Sequence, residues 1–196
     1  LIRSIEHFVY NTTLVPLQPE LVDEYRQRPF TAHDVVLGHP DVALRMDKVE
    51  MITRGLLSAL SAVRGDEEVV VQVMLGGRIK PFELPKNLGD PRNKWFDFVL
   101  GTDKTMSSEV YAGNKARHSN YCFQTNVRIG SRAKNRLRAE SLIETVTDGL
   151  RIIESYGSRI EVAQRHDVSS QLQHLTRPRK WKFYLSGTEI SCLMGI

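Results

Sequence analysis

The sequence is short of the features that usually assign a chain to a class. It holds two cysteines, Cys122 and Cys192, far apart and outside any C-x-x-C pair. Two isolated cysteines exclude a framework of disulfide bonds and predict buried free thiols. No apolar run approaches the roughly 18 residues that a bilayer-spanning helix needs. We therefore expect a chain that folds around its own hydrophobic core, with no membrane among its partners.

The short motifs of catalysis and cofactor binding are also missing. The chain has no G-x-G-x-x-G, no G-x-x-x-x-G-K-[ST], no H-E-x-x-H and no G-x-S-x-G, although the enzymes that use these motifs need them at close spacing. The Asp…Glu-x-Lys pattern of metal-dependent nucleases fails, because Ala163 stands after Glu161 where lysine is required. Neither of the two closer histidine pairs has a cysteine or carboxylate at zinc-ligand spacing. We expect no catalytic residue, no metal and no cofactor.

These absences do not exclude an enzyme whose catalytic side chains are distant in sequence and come together only in the folded protein. A nucleophile and its base need proximity in the fold rather than along the chain. The residues whose meeting in one pocket would indicate such an enzyme are His33, Asp97 and Cys122.

What is present is the composition of an ordinary globular domain. The 196 residues are 41% hydrophobic and 26% charged, which is enough to bury a core without a metal or a disulfide. Residues 1–40 carry many apolar side chains among prolines at positions 16, 19, 29 and 40, so we predict an arm that packs on the domain or on a neighbouring subunit. Residues 41–196 are predicted to form a single α+β domain.

Hydrophobic periodicity predicts two main helices and about five strands in residues 41–196. Apolar residues recur at helical spacing over 41–63, and again from Ser131 or Asn135 to residue 156. Strands are predicted at 68–75, 94–100, 120–129, 159–165 and 180–190. The order α-β-β-β-α-β-β favours a mostly antiparallel sheet with both helices on one face. Because the side chains of residues 120–129 alternate between two faces with period two, we expect the face of the sheet that the helices do not cover to be exposed to water.

Charge is unevenly distributed along the chain. Residues 1–110 carry 13 Lys/Arg and 16 Asp/Glu, whereas residues 111–196 carry 14 and 7. The basic tracts 128–138 and 177–182 can contact phosphates, with Trp181 stacking on a base. The alternative for these tracts is a solvated surface and a protected strand edge, with Trp181 turned into the core. The candidate residues for contact with nucleic acid or an acidic partner are Arg128, Arg132, Lys134, Arg136, Arg138, Arg177, Arg179, Lys180 and Lys182.

The order of elements resembles that of the tail terminator, or tail completion, proteins of tailed bacteriophages. The similarity covers about residues 41–190: a leading helix, a few strands, a polar loop, an alternating strand that runs into the helix RAESLIETVTDGLRIIES, and two closing strands. The N-terminal arm and the loop at 101–119 are additions to the compact pattern of that family, and they are expected to hold neighbouring copies.

The resemblance implies a non-enzymatic subunit that forms a ring with its own copies, caps the tail tube and joins it to the head. It also implies neighbouring tail or neck proteins as partners, DNA as a further candidate, and a place in the virion after assembly in the host cytoplasm. The main alternative is a nucleic-acid-binding module that uses tracts 128–138 and 177–182.

Overall fold

A computed structural model of the protein describes residues 30–86, 88–155, 158–165 and 167–194. Most of the predicted arm, residues 1–29, lies outside the described residues. Within these residues, five strands and six helices follow one another. In chain order they are β1 (Thr31–Leu37), α1 (Val49–Ser61), β2 (Glu68–Ile79), α2 (Trp95–Leu100), α3 (Ser108–His118), β3 (Cys122–Arg132), α4 (Arg136–Arg151), β4 (Ile160–Ala163), α5 (Val168–Gln173), β5 (Phe183–Ser186) and α6 (Gly187–Met194).

The five strands form one sheet in which each neighbouring pair is antiparallel. Its order is β2-β3-β1-β4, and β5 pairs with the part of β3 that β1 does not reach. Thr31 of β1 pairs with Ser131, whereas Phe183 of β5 pairs with Thr125. The elements β1-α1-β2-β3-α4-β4 thus make a split β-α-β arrangement. The predicted fold class, α+β with a mostly antiparallel sheet of five strands, is confirmed.

The main core lies between one face of the sheet and helices α1, α4 and α6. Val127 and Ile129 of β3 belong to it, together with Ile52 of α1, Leu150 of α4 and Ile190 of α6. Each of these five side chains is at most 1% exposed. The two main helices, α1 and α4, therefore share one face of the sheet as predicted.

Helices α1 and α4 approach closely because both have a glycine at their crossing. A Cβ atom on Gly55 would lie 2.8 Å from Ile152 Cδ1 and 3.4 Å from Gly149 Cα. At that separation, any larger side chain forces the helices apart or distorts Ile152. The glycine inside the first predicted helix is thus explained by helix packing.

The opposite face of the sheet is covered by α5 and by the chain that leads into β5. Leu172 of α5 lies over Gly130 of β3, and Trp181 lies over Gly76 of β2, so closely that a Cβ atom on either glycine would come within 2.8 Å of the covering side chain. Arg128 is buried between the two layers. The prediction of a wet face was wrong, because alternation along one strand does not reveal that a short distant helix packs over it.

The sheet begins inside the range that was predicted as an arm. β1 pairs with β3 on one side and with β4 on the other, so it is a central strand. The predicted boundary at residue 40 therefore left a central strand outside the domain. The run is only seven residues long and is enclosed by Pro29 and Pro40, so its apolar residues were indistinguishable from those of an irregular segment.

Two predicted strands are wholly or partly helical. Residues 94–100, predicted as a strand, contain helix α2, because a short apolar run has no period that separates helix from strand. The predicted strand at 180–190 divides into β5 and α6 at Gly187. The signal for that division is the capping box formed by Ser186 and Glu189, in which the Ser186 N–H donates to Glu189 Oε2 at 2.9 Å and the Glu189 N–H donates to Ser186 Oγ at 3.3 Å.

Other boundaries shift by smaller amounts. The first predicted helix begins at Val49 rather than at residue 41, and α4 begins directly after its N-cap Asn135 and ends at Arg151. The loop predicted at 101–119 contains α3. The Gly76-Gly77 pair forms a β-bulge within β2 instead of ending the strand, because the register with β3 shifts at this point.

Candidate functional site

Arg128, in the first basic tract, is enclosed by the protein itself. Its side chain is 0% exposed. The guanidinium donates to Gln171 Oε1 at 2.6 Å and to Thr176 O at 2.9 Å, and its Nε lies 3.7 Å from Asp34 Oδ1. Burial lowers the pKa of Arg128, and the charge of Asp34 opposes that shift. Arg128 therefore joins the sheet to α5 and the chain that follows it.

Arg138 ties the beginning of α4 to the end of α1. Its Nε and one terminal nitrogen donate to the two carboxylate oxygens of Glu67 at 2.8 and 2.9 Å, and that nitrogen also donates to Ala62 O at 2.7 Å. The hydrogen bond from Arg138 lowers the pKa of Glu67 to about 2. A cation at a helix N-terminus is unfavourable for the helix dipole, and here a carboxylate of the same chain compensates it.

The other cations of the first basic tract are only partly available for contact with nucleic acid or an acidic partner. Arg132 donates to Glu68 Oε1 at 2.7 Å, and Arg136 Nε lies 3.5 Å from Glu140 Oε1. Lys134 is exposed and has no ion pair within the part of the chain that the structure describes. The excess of positive charge in this stretch is therefore largely balanced by acidic residues, of which Glu140 belongs to α4 itself and the others to different segments.

The second basic tract precedes β5. Lys182 Nζ lies 3.2 Å from Asp34 Oδ2, and the lysine side chain is 14% exposed. Trp181 is half-buried over β2 rather than free at the surface. The cations that remain exposed are Arg177, Arg179 and Lys180, of which Arg177 lies 5.5 Å from the centre of the Trp181 ring.

The three residues that would have indicated an enzyme do not meet. His33 contacts Glu140 of α4, with Nε2 and Oε2 2.5 Å apart, and it pairs in the sheet with Ile129. Cys122 is at the far end of the same strand β3, and burial raises the pKa of its thiol to about 11. Asp97 caps α2. These residues belong to separate surroundings.

The described residues lack two further features. No group of three or more His, Cys, Asp or Glu side chains in them is placed to hold a metal ion. None of their helices combines the length and the apolar character needed to cross a bilayer.

Helix α2 carries a dense run of exposed apolar side chains. The exposed fraction is 65% for Trp95, 54% for Phe96, 59% for Phe98, 69% for Val99 and 73% for Leu100. A single exposed apolar residue is ordinary, but a contiguous set marks a binding surface. We refer to α2 as the displayed helix.

The displayed helix is closed at both ends, so it is a formed helix and not a loose apolar loop. The Lys94 N–H donates to Asp97 Oδ2 at 2.6 Å at its beginning. At its end, Gly101 adopts a left-handed φ of 63°, and the Thr102 N–H donates to Asp97 O at 2.8 Å. Because the Asp97 carboxylate turns back to the cap, the one charged residue of this helix does not interrupt its apolar surface.

The chain on either side of the displayed helix is clasped into a neck, which consists of residues 89–93 and 104–106. Asn93 Nδ2 donates to Lys104 O at 2.7 Å, and the Lys104 N–H donates back to Asn93 Oδ1 at 3.1 Å. The Asp90 N–H donates to Lys104 O at 2.8 Å, and Arg92 forms an ion pair with Asp90. The apolar surface is thus held in one shape before any partner binds, which lowers the entropic cost of binding.

Helix α3 follows the neck and anchors it to the core through a buried ion pair. Arg117 and Glu189 are 2% and 0% exposed, and their closest nitrogen and oxygen atoms are 2.7 Å apart. Arg117 also donates to Pro40 O at 2.9 Å and to Val42 O at 3.0 Å, while Glu189 accepts from the Leu44 N–H at 2.8 Å. The displayed helix is therefore connected to a rigid part of the domain.

The exposed side chains of the displayed helix amount to roughly 600 Å² of apolar surface, at about 150–250 Å² for each large side chain. The largest apolar patch of a typical monomer covers roughly 300–600 Å² and is often functional. Sequence reasoning missed this surface because it assigned the run WFDFVL to a half-buried strand. The signals for the helix were Asp97 at its third residue and Gly101 directly after it.

Comparison of the chain with protein-family models, with curated proteins and with solved structures finds no match.

Proposed function

We propose that the protein is a non-enzymatic structural subunit that assembles with copies of itself into a ring. In this proposal the ring caps the tail tube of a tailed bacteriophage, joins it to the head, and contacts neighbouring tail or neck proteins in the virion. The observation that carries the assembly role is the displayed helix, an exposed apolar surface on a clasped neck. The resemblance of the element order to tail terminator proteins supports the ring and its place.

Exposure of this apolar surface to water is unfavourable in an isolated chain. Burying roughly 600 Å² of apolar surface contributes about 15 kcal/mol before the costs of association, at about 25 cal/mol per Å². A flexible segment would bury its apolar side chains by folding back onto the domain. The caps and the neck prevent this in the displayed helix and keep its five apolar side chains exposed. A surface held in this way is suited to a joint between subunits.

The test is the mass of the full chain in solution, measured by size-exclusion chromatography with light scattering and by electron microscopy. We expect the wild type to form a multimer of defined size with ring-shaped particles. Phe98→Asp should give monomers, whereas the matched control Leu137→Asp should assemble like the wild type. Leu137 is suited to this control because it is 84% exposed and belongs to α4 rather than to the displayed helix. A monomeric wild type would contradict the proposal.

A second candidate function is nucleic-acid binding by the exposed cations of the second tract. The observation that favours it is the position of the Arg177 guanidinium over the Trp181 ring, beside the exposed Arg179 and Lys180. Affinity for single-stranded DNA should then fall steeply with salt, and the double substitution Arg179→Ala/Lys180→Ala should weaken it. Unchanged affinity in that variant would exclude this surface.

A further inference from the structure

A second exposed apolar surface lies along α1 and β2. Leu57 and Leu60 of α1 are 61% and 48% exposed, and Val71 of β2 is 38% exposed. Val69 and Val73, which share a face of β2 with Val71, are only partly buried against the main core. We refer to these five residues as the ledge.

The ledge is open because of where α1 and β2 stand in the fold. α4 packs against α1, β3, β1 and β4, and Val69 and Val73 of β2 are only half-buried against the core. Gly55 faces α4, and at roughly 100° per residue Leu57 and Leu60 lie about 200° and 140° around the helix from it. β2 itself pairs with β3 alone among the described strands. The ledge is thus at the side of the domain turned away from α4.

The displayed helix and the ledge together offer enough apolar area for a small protein–protein interface. Covering both surfaces removes roughly 1,000 Å² from water, at about 150–250 Å² for each fully exposed large side chain. Specific interfaces bury about 1,200–2,000 Å² in total. One such joint is weak by itself, whereas in a closed ring each subunit is held by two joints, which raises the overall affinity.

Exposed charges stand beside both surfaces, with Asp103 next to Lys104 and Arg64 next to Asp66. Lys94 and Lys104 stand on either side of the displayed helix, are exposed, and have no ion pair with any described residue. Asp66, in the turn between α1 and β2, is exposed and likewise has no ion pair in the described segments. Opposite charges at the rim of an apolar contact favour one orientation of docking over others.

From these surfaces we infer that the displayed helix of one copy docks on the ledge of the next copy, with the two lysines beside Asp66. This inference rests on the proposed assembly and names the surface that receives the helix. The contact is head-to-tail, because the two surfaces belong to different parts of the same chain. Repetition of a head-to-tail contact produces a ring when the rotation closes.

The experiment mixes two complementary full-length variants. Phe98→Asp damages the displayed helix and keeps the ledge, whereas Leu60→Asp damages the ledge and keeps the displayed helix. At a concentration well above the one at which the wild type assembles, where a single joint is sufficient, each variant alone should be monomeric by light scattering. An equimolar mixture should form a dimer with one copy of each variant, because one intact joint remains between them. Circular dichroism and thermal melting establish that each variant is folded, and Leu57→Asp replaces Leu60→Asp if the latter is not.

A charge exchange tests the orientation of the joint. Asp66→Lys should weaken assembly by roughly two- to fivefold, the usual effect of an exposed ion pair. Adding Lys94→Glu and Lys104→Glu to that variant should restore assembly.

The outcomes distinguish a failure of docking on the ledge from a failure of the assembly proposal. A Leu60→Asp variant that assembles like the wild type would overturn the ledge as the receiving surface while the assembly proposal stands. A mixture that stays monomeric would overturn head-to-tail docking, since a joint that uses both Phe98 and Leu60 on each of its two sides would be damaged in every pairing of the variants. A wild type that is itself monomeric refutes the assembly proposal, and the inference falls with it.

Discussion

Replacing Glu189 by alanine should destabilise the protein strongly, because this buried carboxylate holds three parts of the chain together. It accepts from Arg117 of α3, from the Leu44 N–H before α1, and from the N–H and hydroxyl of Ser186 at the end of β5. Removing it leaves the Arg117 cation, 2% exposed, without a counter-charge. It also leaves two buried N–H groups without their acceptor.

The size of the effect follows from these contacts. Breaking a buried ion pair by removing one partner costs about 3–5 kcal/mol, and a buried donor without an acceptor costs about 1–3 kcal/mol. We therefore expect Glu189→Ala to lower the free energy of unfolding by about 4 kcal/mol or more. The double variant Arg117→Met/Glu189→Leu removes both charges and should be less destabilised than Glu189→Ala, although Pro40 O and Val42 O lose their donors.

The assay is urea unfolding of the full chain followed by circular dichroism, for Glu189→Ala and for the cycle formed by Arg117→Met, Glu189→Leu and their double variant. The midpoint and slope together give the change in unfolding free energy, provided that the transition is two-state. A loss below about 1 kcal/mol in Glu189→Ala would refute the reasoning, since no buried charge would then have been left unpaired.

Three other predictions concern packing, pH and thiol chemistry. Gly55→Val should destabilise by about 1–3 kcal/mol through overpacking of the α1–α4 crossing, whereas Gly65→Ala, which meets nothing within 4 Å, should melt close to the wild type. Because the pKa of Glu67 is held at about 2, the stability that this group contributes is complete above its unfolded pKa of about 4.3 and is lost as the pH falls towards 2. The melting temperature should therefore fall more steeply over that window in the wild type than in Glu67→Gln. Burial raises the thiol pKa of both Cys122 and Cys192 to about 11, so neither should react with an aromatic disulfide reagent at pH 8 until urea is added.

The parts of the fold that sequence predicted are those with a long, uninterrupted period. α4 and β3 each carry enough apolar residues at one spacing to fix their type and the face that packs in the main core, and Asn135, one of the two starts predicted for this helix, is its N-cap. The free thiols of Cys122 and Cys192 were also predicted correctly, and both are buried.

The parts that sequence did not predict depend on contacts between distant segments. β1 is recognisable as a strand only once β3 and β4 stand on either side of it. Arg128 appears as a surface cation in the sequence, and only the position of α5 over the sheet makes it a buried one. The displayed helix was missed for the opposite reason, because burial was assumed for apolar residues that are more than half exposed.

The central place of β1 has a consequence for synthesis of the chain. Its partners β3 and β4 are made long after it, so a chain growing on the ribosome carries an unpaired strand until the segment that ends at Ala163 has emerged. Sheets whose pairings join distant segments close slowly, and strands that wait for partners are prone to aggregate. We expect nascent chains that stop before β4 to bind chaperones, and completed chains to be released from them.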